Sequence, residues 1–258
     1  MFSAFKAQIL KIEGVSFSYE RHSTFIRDLA FTIDEGDFIG LLGSNGSGKS
    51  TVLKIAGGIL KPSSGRLTLW NKDLSAVKNR DRAKLVSYLP QTLDISVPFK
   101  VSELVGMGLY PYDIPPAMTV EDALDMVGLR DKADSRLADL SGGERRRTFI
   151  AMTLLQGAGL LLLDEPLANL DIKYQVDLMR LLKNLREMRN ISVIMALHDI
   201  NIALQFEKII LIKNGIVIGS GTPEAVLTPD LIKQAFDVNV DVRNYDSGRR
   251  YISIENNL

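Results

Sequence analysis

The sequence predicts an α/β protein, with a largely parallel sheet covered by helices, an antiparallel β portion and an inserted helical stretch. Three observations carry this reading. Short, predominantly apolar runs near residues 38–42, 160–163 and 191–197 alternate with helical patterns, as buried parallel strands do. Through residues 8–19 apolar side chains recur at nearly every second position, which marks a strand with one covered face. Between residues 92 and 159 the strand signals give way to helical periodicity.

Taken in order, Leu10 and Ile12, then Val15, Phe17 and Tyr19 beyond Gly14, read as a strand pair or one bent strand. Phe31 and Ile33 extend the pattern to the turn Asp34-Glu35-Gly36-Asp37. The buried run 38–42 follows. Directly after it stands Gly43-Ser44-Asn45-Gly46-Ser47-Gly48-Lys49-Ser50, then Thr51 and a helical pattern over 52–56. This fits G-x-x-x-x-G-K-[ST] in its required context of strand before and helix after. The glycines let the backbone wrap inward, so that successive N–H groups and a helix N-terminus face one anion. Lys49 suits the β- and γ-phosphates of a nucleotide, and the Ser50 hydroxyl suits Mg²⁺.

Gly57-Gly58 and residues 61–65 end that helix, residues 66–70 alternate, Asn71-Lys72 can turn, and residues 85–89 form a short strand ending at Pro90-Gln91. Helical pieces at 101–108, 119–127 and 142–155 make residues 92–158 a helical subdomain, inserted into a core formed by 1–91 and 159–258. A helix is expected over 172–189 and a strand over 191–197, ending at His198-Asp199. Asn214-Gly215 tolerates the positive φ angles of a tight hairpin turn between 208–212 and 216–218. After a short helix at 229–236, Val238, Val240 and Val242 face Ile252 and Ile254 across Asp246-Ser247-Gly248, a small C-terminal hairpin within 237–258.

Composition narrows the function. The 258 residues carry 31 basic and 31 acidic side chains, which argues against nucleic-acid binding by net charge. Cysteine is absent and only His22 and His198 are present, which excludes thiolate chemistry and disfavours a histidine-built metal site. No run reaches the roughly 20 apolar residues of a spanning helix, and the start lacks a signal-peptide pattern.

Asp164 and Glu165 close a four-leucine strand, at the sheet edge where a phosphate loop also emerges. Asp164 is suited to orient Mg²⁺ and Glu165 to hold or deprotonate water. In Leu140-Ser141-Gly142-Gly143-Glu144, Ser141 and Glu144 have capping-box spacing. The two glycines are not explained by capping, since each costs a helix about 1 kcal/mol, while open backbone at a helix N-terminus is good anion chemistry. His198 reads as a γ-phosphate contact or as a partner in capping the next helix, Gln91 as a metal or water contact or a plain loop residue, and Tyr19 as an adenine-stacking ring or core. Arg145-Arg146-Arg147 reads as a solvated face.

The order of these motifs closely resembles the ATP-binding subunit of ABC transporters. The resemblance covers nearly the whole chain and implies an ABC ATPase fold on a P-loop NTPase core. It aligns Tyr19 with the A-loop aromatic, residues 43–51 with Walker A, Gln91 with the Q-loop and residues 140–144 with the LSGGE signature. Residues 160–164 match Walker B, Glu165 the catalytic carboxylate, residues 168–171 with Asp171 the D-loop, and His198 the switch histidine. It implies ATP and Mg²⁺ as cofactors and a head-to-tail homodimer, in which Ser141, Gly142 and Gly143 read the γ-phosphate held by the other copy's Lys49 and Ser50. It further implies transmembrane permease subunits, indirectly a substrate-binding protein, no nucleic acid, and a peripheral place on the cytoplasmic face of the membrane. His198-Asp199-Ile200-Asn201-Ile202-Ala203, the stretch 219–223 and the terminal hairpin are similar to importers of metal chelates, iron–siderophore first, then haem or cobalamin. A zinc or manganese importer, or a soluble ATPase of iron–sulfur assembly, is the alternative.

Overall fold

A computed structural model describes residues 6–20, 23–93, 98–244 and 250–254. The chain divides into two compact units, residues 1–75 with 194–258, and residues 76–193.

The first unit opens on β1 (Gln8–Glu20) and β2 (Ser23–Asp34), paired antiparallel. Residues 8–19 are thus one strand and not a pair, bent by register shifts that include one between Ile12 and Val15. β3 (Phe38–Leu42) is buried at every residue and delivers the chain to the glycine-rich loop and α1 (Lys49–Ala56). β4 (Ser64–Leu69) and β5 (Lys72–Asp73) complete an antiparallel sheet of order β2-β1-β4-β5. Their turn falls one residue earlier than the sequence suggests. Trp70 and Asn71 take φ of +44° and +59°, because a tight hairpin needs two left-handed residues in succession.

Residues 76–193 carry α2 (Asn79–Leu85), β6 (Val86–Leu89), α3 (Val101–Gly106), α4 (Val120–Met126), α5 (Gly142–Leu155), β7 (Leu160–Asp164) and α6 (Ile172–Arg189). α2 buries none of its residues, so no apolar stripe announces it in the sequence. β6 and β7 run parallel in the register Val86↔Leu160 to Leu89↔Leu163. Parallel pairing puts both strand ends at one edge, where Leu89 leads into Pro90-Gln91 and Leu163 into Asp164-Glu165. β8 (Ser192–Leu197), buried throughout, starts in this unit and ends in the first.

The chain then forms α7 (Ile200–Ala203), β9 (Lys208–Lys213), β10 (Ile216–Gly221), α8 (Pro223–Val226), α9 (Pro229–Phe236), β11 (Val240–Asn244) and β12 (Arg250–Ile254). β9 is parallel to β3 and antiparallel to β10. β11 and β12 pair antiparallel, while their expected turn at Asp246-Ser247-Gly248 lies outside the described residues. The Asn201 side chain holds this hairpin by both backbone polar groups of Ile252, donating to Ile252 O at 3.0 Å and accepting from Ile252 N at 2.9 Å.

The β9–β10 turn supports the glycine-rich loop. Gly215, at φ +75°, donates its N–H to Ser47 O at 2.8 Å, while its carbonyl accepts from Arg27 N at 3.0 Å. A Cβ on Gly215 would lie 1.7 Å from Phe25 O. Backbone must therefore move if any side chain is added, and Gly215→Ala is expected to lower stability by about 3 kcal/mol or more in denaturant unfolding.

Candidate active site

The turn from β3 into α1 builds an anion cradle. At Gly43 a Cβ would meet Ile212 O at 2.4 Å and Ser47 Oγ at 2.6 Å, so only glycine lets the loop close against β9. Lys49 is 5% exposed and folds back to donate to Gly43 O at 2.9 Å and Ser44 O at 3.1 Å. The Ser47 hydroxyl is buried with no hydrogen-bond partner among the described residues. A buried hydroxyl without a partner is costly, and a phosphate oxygen in the cradle would satisfy it.

Tyr19 is not core. Its ring is 60% exposed, rests edge-on against Phe17 and Phe25, and is tethered through its hydroxyl to Thr51 Oγ1 at 2.9 Å. An exposed aromatic face fixed to the helix that follows the phosphate loop is a platform for a planar base. His198 stands exposed just past β8. The cap of α7 is Asp199, whose Oδ1 accepts from Asn201 N and Ile202 N.

Within residues 76–193, Asp164 is 1% exposed and its Oδ2 accepts from the Tyr88 hydroxyl at 3.2 Å. Gln91 Nε2 donates to Glu165 Oε2 at 2.9 Å, so two residues expected to handle water meet directly. Glu165 sits at φ +48°, a left-handed conformation unusual for glutamate. Asp171 is the N-cap residue of α6, yet its side chain makes no capping bond.

Ser141 and Glu144 form the reciprocal capping box at the start of α5, with Ser141 N and Oγ both donating to Glu144 Oε2 at 2.8 Å. The Ser141 amide and hydroxyl hold the Glu144 carboxyl below its usual range. A lowered folded value means the cap's contribution is full above the unfolded pKa and fades as pH falls through the folded one. The adjoining glycines have no such internal role. Among the described residues nothing lies within 4 Å of a Cβ built on Gly142, and the nearest atoms to one on Gly143 are Asn169 O at 3.7 Å and Leu170 Cδ2 at 3.8 Å. The chain's own packing requires neither glycine.

The arginine run departs from its reading as a solvated face. Arg146 and Arg147 are only 5% and 8% exposed. Arg147 lies 3.6 Å above the Tyr174 ring and donates to Val127 O at 3.3 Å. A run of three charges has no helical period, so two inward positions were invisible to pattern reading. Tyr88 was likewise missed, although it stands two residues before Pro90 on a short strand.

Among the described residues no group of three or more His, Asp or Glu side chains could cage a cation. Mg²⁺ fits this donor set only as an ion brought by nucleotide phosphates, the usual habit of that cation. Nor is any helix among those residues long and apolar enough to cross a membrane.

A lysine cradle at a helix N-terminus and a glutamate paired with glutamine beside a buried aspartate define a phosphate-loop ATPase. Comparison with known proteins sharpens this. The model of the ABC transporter family matches residues 26–168, and the chain belongs to that family. It is 32% identical over 248 residues to the petrobactin import ATP-binding protein YclP of Bacillus subtilis (strain 168), covering 93% of this chain and 98% of that one. It is 36% identical over 225 residues to the iron(3+)-hydroxamate import ATP-binding protein FhuC of the same organism, covering 84% of each. The hemin import ATP-binding protein HmuV of Rhodopseudomonas palustris (strain HaA2) is 36% identical over 241 residues, with 89% and 91% covered. Among solved structures, the dimeric post-hydrolysis state of the ATP-binding cassette MJ0796 with ADP and Pi superposes with a TM-score of 0.76 at 28% identity, covering 83% of this chain and 99% of that one.

Because no internal contact needs a bare backbone at Gly142, Gly142→Ala is expected to keep or raise stability, by up to about 1 kcal/mol in urea unfolding. A clear loss of stability would assign the glycine to packing instead.

Proposed function

We propose that this ATPase works as a head-to-tail homodimer and powers import of a metal chelate, an iron–siderophore by preference, through separate permease subunits. The observation that carries the dimer is the open helix start at Ser141-Gly142-Gly143. Its backbone is left bare at a cost to helix stability with no internal reason, which supports an external phosphate as its ligand. The importer and its cargo are supported by the names of the relatives, several of which import siderophore iron or hemin.

In this reading the loop amides of Gly43, Ser44, Asn45, Gly46, Ser47 and Gly48 hold the β-phosphate, Lys49 balances charge on the β- and γ-phosphates, and Ser50 and Thr51 offer hydroxyls beside them. Tyr19 stacks on the adenine. Ser50, Gln91 and Asp164 would hold Mg²⁺ carried by ATP, which would neutralise phosphate charge. Glu165 takes a proton from the attacking water, Gln91 orients that carboxylate, and His198 contacts the γ-phosphate. Ser141, Gly142 and Gly143, with Glu144 fixing the helix start, close on the γ-phosphate bound by the other copy, and Asp171 lines the same junction. Positioning and fixed dipoles supply most of the rate. Closure on ATP pulls the permease subunits, and phosphate loss releases them. The protein sits at the cytoplasmic face of the membrane through these subunits, with a substrate-binding protein acting on the permease.

The assignment is tested by purification from membranes in mild detergent, with mass analysis of bound protein and cargo. A polytopic permease with a ferric chelate is expected; soluble iron–sulfur assembly partners alone would contradict the importer. Glu165→Gln is expected to lower kcat by at least about 10²-fold while ATP-bound dimers accumulate, as size-exclusion chromatography would record. Ser141→Arg should abolish those dimers with monomer ATP affinity nearly unchanged, and a parallel loss of affinity would contradict the cross-copy role.

A further inference from the structure

Arg146, in the second turn of α5, is buried and spends its whole guanidinium on backbone. Nε donates to Pro166 O at 3.3 Å. Nη1 donates to Pro90 O at 3.2 Å and Gln91 O at 2.6 Å, and Nη2 to Asp164 O at 2.8 Å and to Glu165 O. Two chain segments that leave the parallel strands β6 and β7 at one edge are thereby pinned by one rigid fork. Its five hydrogen bonds all go to carbonyl oxygens, with the Asp164 and Glu165 charges nearby, and hydrogen bonds from a charged donor are among the stronger ones.

The pinned carbonyls include those of Gln91, Asp164 and Glu165, the residues given to water and metal handling. Glu165 needs such support, since a non-glycine residue at φ +48° persists only where its surroundings enforce it. The 2.9 Å bond from Gln91 Nε2 to Glu165 Oε2 joins the same two segments at side-chain level, so its length depends on the spacing that Arg146 sets. The fork also stands on the helix that begins at Ser141 and Gly142, so any shift of that helix start reaches the pair through one side chain.

We propose that Arg146 is the positioning residue that holds the Gln91–Glu165 pair in its working geometry and ties that geometry to the signature helix. This rests on the ATPase roles given above to Gln91 and Glu165. Lysine in its place would keep the charge but lose the fork, and could span only one of the two segments.

The test is steady-state hydrolysis by Arg146→Lys and Arg146→Met, with kcat and KM read separately. Alongside are measured the ATP affinity of each variant and its ATP-dependent dimerisation in a Glu165→Gln background. Both variants are expected to lose kcat on the order of 10²-fold, while affinity stays within about twofold and the dimers still form. Arg146→Lys, the gentler change, decides the matter if Arg146→Met does not fold. The proposal is overturned if Arg146→Lys keeps kcat within about threefold of the parent, or if kcat, affinity and dimerisation fall together, as lost packing would make them. Failure of the underlying reading looks different: Glu165→Gln alone would then hydrolyse ATP normally, which removes the pair's role and the positioning role with it.

Discussion

A strand buried on both faces admits no unsatisfied polar side chain along its length, so chemistry can stand only where the strand stops. β3, β7 and β8 are buried at every residue. The first runs out into the phosphate loop, the second closes on Asp164 and runs into Glu165, and the third runs into His198. The shorter β6, buried except at the partly exposed Tyr88, ends at Leu89, two residues before Gln91. The parallel register of β6 with β7 then brings Gln91 to Glu165, although 74 residues separate them. Placement of Gln91 and Glu165 at one sheet edge is therefore a consequence of how β6 and β7 pair.

The apolar strands were legible because burial on both faces leaves an uninterrupted run, and the phosphate loop because its glycines answer to backbone geometry. α5 and α6 span the residues expected of them, 142–155 and 172–189. What escaped has physical reasons. α2 buries nothing, so it leaves no stripe. The β4–β5 turn uses a left-handed tryptophan, which propensity argues against. Arg146 is hidden in a charge run whose neighbours face other ways, and its five acceptors are backbone carbonyls, which no sequence displays. Tyr19 was drawn toward the core by its alternation, yet β1 ends there and the ring is left outside.

Several features of the chain cost stability and return nothing to its own packing. The Ser47 hydroxyl is buried without a partner among the described residues, Glu165 is held in a left-handed backbone, and Gly142 leaves a helix start bare. Each is what a free chain would discard. In the proposed function, Ser47 and Gly142 fall where a triphosphate or a second copy would supply a contact.

The central claim is that one ATP is handled by the phosphate loop and Glu165 of one copy and by the signature of another. The most direct measurement mixes two inactive variants, Lys49→Ala and Ser141→Arg, and follows ATP hydrolysis. In a head-to-tail dimer the mixed pair contains one site with both parts intact, so activity must return on mixing. A mixture as inactive as its components would place the whole site within a single chain and contradict the account.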